Sequence, residues 1–352
     1  MIKFFRKIRQ RLLTENKFSK YLLYAIGEII LVVIGILIAL QVNNYNEAKK
    51  QEIKTKEILT KVHEELAINI QKSDDIIAYY KTKDSLFYLF FNDKFTIADY
   101  KENGDGEVIG LTFSYWILQI IDNAYKSLIL QIGNMPKTFE PLIENLTTIY
   151  EENKKLVDNE NVNMEKLVTE HYNSIMNKKW YTDFMIKKKV ESDLFQYFLS
   201  DPNYRSHAAS FYLEGLETHL RFIKIFRSNA IRSFKEITDL LGLQEKVKDA
   251  NYPFIINIED YLQWVGIYEW TDTDTEITLK FEILIEEETL YFNQEKYSIK
   301  SEIFPLYNGM FYFENWFGFF KVETNTTGDI VGIRTYRGWN QRSFKKIYPN
   351  RD

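Results

Sequence analysis

Four histidines, at positions 63, 171, 207 and 219, are the side chains best suited to hold a transition metal or to move a proton near neutral pH. Their spacing favours neither use. Two zinc ligands on one helix face need the H-E-x-x-H pattern, and His63-Glu64-Glu65-Leu66 continues without a second histidine. His171 falls in the apolar series Met164, Leu167, His171, Ile175, where a hydrogen-bonded core histidine is expected. Asp74-Asp75 and Glu286-Glu287-Glu288 read as solvated faces. Gly104, Gly106 and Gly110 form G-x-G-x-x-x-G, one residue off the dinucleotide fingerprint and without a strand before it, so a turn over Asn103 to Gly106 is expected. There is no nucleophile elbow or phosphate loop, and the absence of cysteine removes thiol nucleophiles, disulfides and thiolate-held metals. The expectation is a non-enzymatic protein with no cofactor and no metal.

The elements that would position any site follow from composition and pattern. At 352 residues the chain has room for two folded units besides a membrane element. Hydrophobic residues at 45 % and charged residues at 27 % match a packed globular chain, not a disordered one. A net charge of -5, with Lys and Glu mixed throughout, supplies no basic face for phosphates and predicts no nucleic-acid partner.

Tyr21 to Val42, YLLYAIGEIILVVIGILIALQV, contains one charge, Glu28. At about 1.5 Å per residue it spans about 33 Å as a helix, enough for a hydrocarbon core of about 30 Å. The leader, residues 1–20, carries Lys3, Arg6, Lys7, Arg9, Arg11, Lys17 and Lys20 against one acid, Glu15. The positive-inside rule then predicts a cytoplasmic N-terminus and a translocated C-terminal bulk, which locates the protein in a bacterial inner membrane with a periplasmic domain. A cleaved signal peptide is the competing reading, but Gln41, Val42, Asn43 and Asn44 offer no small-x-small cleavage site. The leader's Ile8 and Leu12, among basic residues, suit a short interfacial helix on an anionic leaflet. Twenty residues cannot house a kinase or a DNA-binding domain, so any message passed inward needs another protein.

Glu28, Val32, Gly35 and Ala39 share one helix face, and Gly35-x-x-x-Ala39 is a small-residue pattern that lets helices approach closely. Two readings stay open: a contact with another envelope protein or a second copy, with Glu28 protonated or hydrogen-bonded, or a carboxylate that snorkels to the headgroups. The basic leader, ENKFSKYLLYAIGEI, the aliphatic span and Asn43-Asn44-x-Asn46-Glu47 together resemble the N-terminal hallmark of an uncharacterised family of single-pass membrane proteins in Gram-negative bacteria. DNAYKSLILQIGN, Asp122 to Asn134, adds a fainter likeness. The resemblance implies topology and no chemistry.

Residues 43–250 read as a periplasmic helical domain. Leu59, Val62, Leu66, Ile70, Ser73, Ile77, Tyr80, Asp84, Phe87 and Phe91 step by threes and fours along a stalk helix. Ser73 and Asp84 interrupt the stripe, so an intramolecular bundle is at least as well supported as a coiled-coil dimer. Leu111 to Ile132 reads as a buried helix, cut too short to span a membrane by Asp122, Asn123 and Lys126. Pro141 opens a further helix, another carries His171, and the strongest runs from about His207 to Leu241 with Gly242 as its cap, giving five or six helices in all.

Residues 253–352 change period. Ile277, Leu279, Phe281 and Ile283 alternate with polar residues, and further strands are expected at 264–270, 289–293, 297–301, 310–313, 317–323, 330–336 and 342–347. They predict an antiparallel meander closed into a small barrel or a strongly curled sheet. Tyr261, Gly266-x-Tyr268 and Gly328-Asp329-Ile330-Val331-Gly332 resemble a small lipocalin-like module often appended to bacterial hydrolases and other envelope proteins, which implies an accessory barrel and no catalytic residue. MFYFENWFGFF, Met310 to Phe320, has seven aromatics in eleven residues: half should face inward, and the rest need cover from the helices, a ligand or a partner.

The expected fold is therefore α+β: a transmembrane helix, a helical bundle and a C-terminal antiparallel β module. The expected function is that of a membrane-anchored scaffold, adaptor or sensor component, working through protein contacts with an envelope partner or itself. Small-ligand or lipid binding in a groove lined by Trp264, Phe281 and Trp316 is one alternative. A periplasmic hydrolase whose residues converge only on folding is the other.

Overall fold

The computed structural model describes residues 18–347, except 97, 99–108, 188, 190–191, 307–308, 315, 317 and 338–339. The basic leader to residue 17 and the expected Asn103 to Gly106 turn thus lie outside the described residues. The fold is α+β, with a long apolar N-terminal helix, further helices and a closed antiparallel barrel.

Helix α1 runs unbroken over Phe18–Phe91, 74 residues, about 110 Å at 1.5 Å rise. No Gly or Pro interrupts it after Gly35, so the apolar segment passes without a joint into the stalk. The apolar part has a mean hydropathy of 2.7, and none of that window is buried. It is long and apolar enough to cross a membrane, which is compatible with anchoring. Further along, Leu59, Val62, Leu66, Ile70, Ile77, Tyr80 and Phe87 are buried, and so are Ser73 and Asp84. The stripe packs inside the chain's own bundle.

The segment from Leu111 to Ile132 departs from the expected helix. After a 3-10 turn at Ile109–Leu111 it runs without regular structure to Asp122, and only α2, Asn123–Ile129, is helical. Side chains of α1 replace the helical hydrogen bonds: Asn69 accepts from Ile121 N and donates to Ile121 O, Tyr80 donates to Trp116 O, and Lys83 donates to Gly110 O and Leu111 O. Leu118 and Ile120 point inward from this extended stretch.

Two long helical arms complete the bundle. The first joins α3, Glu140–Thr147 with Pro141 in its first turn, through a π segment, Thr148–Asn153, to α4, Lys154–Ile175. Short helices α5, Tyr181–Met185, and α6, Ser192–Ser200, follow. The second arm joins α7, Pro202–Phe211, through a π segment, Tyr212–His219, to α8, Leu220–Leu241. Asp201 caps α7 by accepting from Asn203 N at 2.8 Å, and Gly242 ends α8 in the left-handed region at φ +66°. α8 lies antiparallel to α1, since His63 meets Thr238 and Asp74 meets Arg227. A short α9, Gln244–Ala250, leads out of the bundle.

Eight strands then form one closed meander: β1 Gly266–Thr271, β2 Thr278–Glu286, β3 Thr289–Gln294, β4 Ile299–Pro305, β5 Met310–Phe313, β6 Phe319–Thr324, β7 Ile330–Arg337 and β8 Asn340–Ile347. Each pairs antiparallel with the next, and β8 returns to β1 through Ile267 and Ile347. Closure leaves no sheet edge exposed. Two expected boundaries move: Trp264 sits in a 3-10 helix, Ile258–Trp264, and Tyr297 in another, Glu295–Tyr297.

The aromatic run divides as alternation requires. Phe311, Phe313 and Phe320 enter the barrel core, while Met310, Tyr312 and Phe319 join Phe304 in the core of the helices. All four residues of β5 are buried, because the barrel packs one outer face on α8.

Candidate functional site

Inward-facing aromatic rings fill most of the lumen. Trp264 closes one end, packed on Phe311 at 4.9 Å, with Tyr268 Oη donating to its carbonyl at 2.6 Å. At the other end the side chains stop short and leave an open cup of about 570 Å3, lined among others by Phe281, Phe292, Phe313, Trp316, Arg342 and Phe344. The floor is a connected set of rings: Phe292 stacks on Phe313 at 4.3 Å, Phe281 meets Phe344 at 4.9 Å, and Trp316 covers Phe320 at 4.5 Å. Phe281 and Trp316 thus come together at the cup, and Trp264 lies at the far end of the lumen.

Trp316 belongs to the β5–β6 turn, and its position depends on two neighbours. A Cβ at Gly318 would fall 2.2 Å from the Trp316 ring and 2.4 Å from Tyr336 O, so only glycine lets the indole lie there. Lys224 of α8, only 1 % exposed, donates through Nζ to Trp316 O at 2.6 Å and to Gly318 O at 3.2 Å. Burial pulls this lysine down to about 7, against the pull of Asp84 in the other direction.

The same helix makes the rest of the junction. Arg227 Nε donates to Asp74 of α1 at 2.7 Å, and its Nη1 reaches Tyr312 Oη of β5 at 3.2 Å. Arg232 bridges Glu302 and Glu314 at 2.7 Å each, and Arg337 pairs with Glu217 at 2.9 Å. The expectation that Asp74 sits on a solvated face therefore fails: burial pushes its carboxyl up, with Arg227 acting against that shift. β4, β5, β6 and β7 meet successive turns of the α7–α8 arm, from Arg232 back to Glu217, so the strands run across that arm.

Sequence reasoning missed Lys224, Arg227 and Arg342. A signal for the first two exists: Leu220, Ile223, Lys224, Arg227, Ile231 and Phe234 fall on one helical face, which places two cations on a buried stripe. Arg342 carries no comparable signal, because its inward direction depends on barrel register.

Three of the four histidines are core residues, and His207 is half-buried. His63 lies 2.9 Å from Thr238 Oγ1 and stacks on Phe234 at 3.8 Å, and burial holds it down to about 4. His219, 2.9 Å from Asn161 Oδ1, is also held at about 4. His171 stacks between Phe113 at 4.1 Å and His207 at 4.4 Å, with Tyr197 Oη at 3.2 Å, and burial holds it at about 3. Among the described residues no group of three or more His, Asp or Glu could hold a metal ion.

Glu28, Gly35 and Ala39 lie on the apolar part of α1, Glu28 half-buried and the other two exposed. A Cβ built at Gly35 meets nothing within 4 Å. No curated protein and no solved structure was found to match the chain. Over residues 28–105, from Glu28 through the stalk part of α1, the chain is similar to a family of unknown function (DUF6090).

Proposed function

We propose that this protein is a non-enzymatic sensor component of the bacterial cell envelope. It is a single-pass inner-membrane protein with its N-terminus in the cytoplasm. Its periplasmic, lipocalin-like barrel binds a small ligand, and its continuous helix carries the bound state to a membrane partner. The observation that supports this reading is the cup. Eight strands enclose a lumen just wide enough for side chains to fill, or to hold one small ligand. Here the filling stops short at one end, under Trp316. A space of about 570 Å3 with aromatic walls and a few polar groups suits a small molecule.

The coupling follows from the junction. A ligand that shifts Trp316 disturbs the two carbonyls held by Lys224, and one turn along α8 Arg227 grips α1 through Asp74. From Asp74 the helix leads back without a break to the face bearing Glu28, Gly35 and Ala39. That face would meet another envelope protein or a second copy of the chain, and the surrounding apolar residues would meet lipid.

A photo-crosslinking residue placed at Val32 in the full chain, in living cells, tests the scheme. A reproducible protein neighbour is expected, with a yield that changes when Ser301→Trp fills the cup. Capture of lipid alone, or a pattern indifferent to Ser301→Trp, contradicts it. A reporter fused after Asp352 should be active in the periplasm and silent in the cytosol.

A further inference from the structure

The cup has a charge preference. Resting on the ligand-binding reading above, we infer that the ligand is a small organic anion with an apolar body, its carboxylate or sulfonate held by Arg342.

Side chains on a barrel strand alternate between lumen and exterior. On β8 Phe344 is buried in the barrel core, so Arg342, two positions earlier, faces the same way at the mouth. Its guanidinium lies 4.4 Å from the centre of the Trp270 ring, on the lumen-facing side of β1 that also carries Tyr268. Stacking holds the group flat and leaves its fork of donors free to meet a planar anion.

Among the described residues no acid near the mouth forms an ion pair with the Arg342 guanidinium. Glu314 is held by Arg232 at 2.7 Å, and Glu269 of β1 by Lys280 at 2.6 Å. Asp272 feels Arg342, but its Oδ1 already accepts from Asp274 N at 3.0 Å and Thr275 N at 2.9 Å. Lys300 of β4 also borders the cup, but its ammonium pairs with Glu286, and Gln294, Ser301 and Thr335 sit uncharged among the rings. Arg342 therefore presents a cation to the lumen over an apolar floor.

The floor sets the rest of the ligand. Phe281, Phe313, Trp316 and Phe344 offer ring faces and no buried charge, so the body entering the cup is aromatic or a short aliphatic chain. Packed rings below them, down to Trp264, stop a long acyl chain from threading the barrel.

Two fluorescent probes with one body separate these claims: 1-anilinonaphthalene-8-sulfonate and its uncharged parent, N-phenyl-1-naphthylamine. The full chain is placed in phosphatidylcholine nanodiscs, and energy transfer from tryptophan is read against empty discs. The sulfonate is expected to bind about tenfold more tightly than the parent. Arg342→Gln should erase that difference and leave the neutral probe within about twofold, while Arg342→Lys retains part of it. Ser301→Trp should remove both signals. If Arg342→Gln weakens both probes equally, or neither, the anion inference is overturned while the cup stands. If neither probe binds above empty discs, or Ser301→Trp changes nothing, the cup itself is not a binding site and both readings fall.

Discussion

Arg227 and Asp74 stand 153 positions apart in the chain and meet at 2.7 Å. Because the same guanidinium reaches Tyr312, one side chain joins stalk, bundle and barrel. A buried pair of this kind gives little net stability, but removing one partner strands the other. Arg227→Met is expected to cost about 3 kcal/mol. Combining it with Asp74→Asn should recover part of that loss, since the orphaned carboxylate goes with it. Urea unfolding of the full chain in detergent measures both, and a double variant as unstable as the sum of the singles contradicts the pairing.

Gly318 and Trp316 give a second prediction. Gly318→Ala places a methyl group where the indole and Tyr336 O already stand, and overpacking of this type costs about 1–3 kcal/mol. The indole should leave the cup, with a red shift in tryptophan emission and faster amide exchange at residues 316–320. Unchanged emission and exchange would mean that the turn relaxes without moving Trp316.

Much of this architecture is legible in the sequence. The stripe from Leu59 to Phe87 and the alternation from Ile277 to Ile283 each report burial on one face, which is a local property. Alternation also separates the two faces of Met310 to Phe320, while the cover of the outer face by the helices follows only from the packing of β5 on α8. Other features depend on partners far away in the chain. The extended run to Asp122 is apolar enough for a helix, and it stays extended because Asn69, Tyr80 and Lys83 satisfy its backbone. Which of Trp264, Phe281 and Trp316 share a cavity depends on which barrel end each reaches, a matter of register and closure. A paired acid such as Asp74-Asp75 looks solvated in sequence, and the burial of Asp74, like that of Lys224 and Arg227, depends on partners 85 or more positions away.

Lys83 and Lys224 predict how stability changes in alkali. Lys83, 5 % exposed, donates to Gly110 O and Leu111 O, and burial pulls it, like Lys224, from 10.5 to about 7. The folded chain releases these protons near pH 7 and the unfolded chain near 10.5, so between those values the unfolded state binds more protons. Stability should rise with pH over that window, by up to about 1.4 kcal/mol per unit for each lysine. Urea midpoints at pH 7.5 and 9.5 read this directly, and Lys83→Met with Lys224→Met should flatten the rise. A midpoint that falls over this range would mean the two lysines keep their protons when folded.

The histidines act at the acid end. His63, His171 and His219 are at most 1 % exposed, and burial lowers them from 6.5 to about 4, about 3 and about 4. Above pH 6.5 both states are neutral and these groups contribute nothing to the pH dependence. As pH falls below 6.5 the unfolded chain takes up protons that the folded chain refuses, so stability is lost until the folded values are reached. At pH 5 each histidine should have removed roughly 2 kcal/mol relative to pH 7.5. Losses of that size compete with the whole stability of a domain, so the bundle should lose its near-ultraviolet circular dichroism between pH 6 and 4. His63→Gln keeps a polar group beside Thr238 and cannot take up a proton, so it should shift that midpoint to lower pH. A midpoint that does not move would assign the acid transition to the carboxylates at the barrel junction.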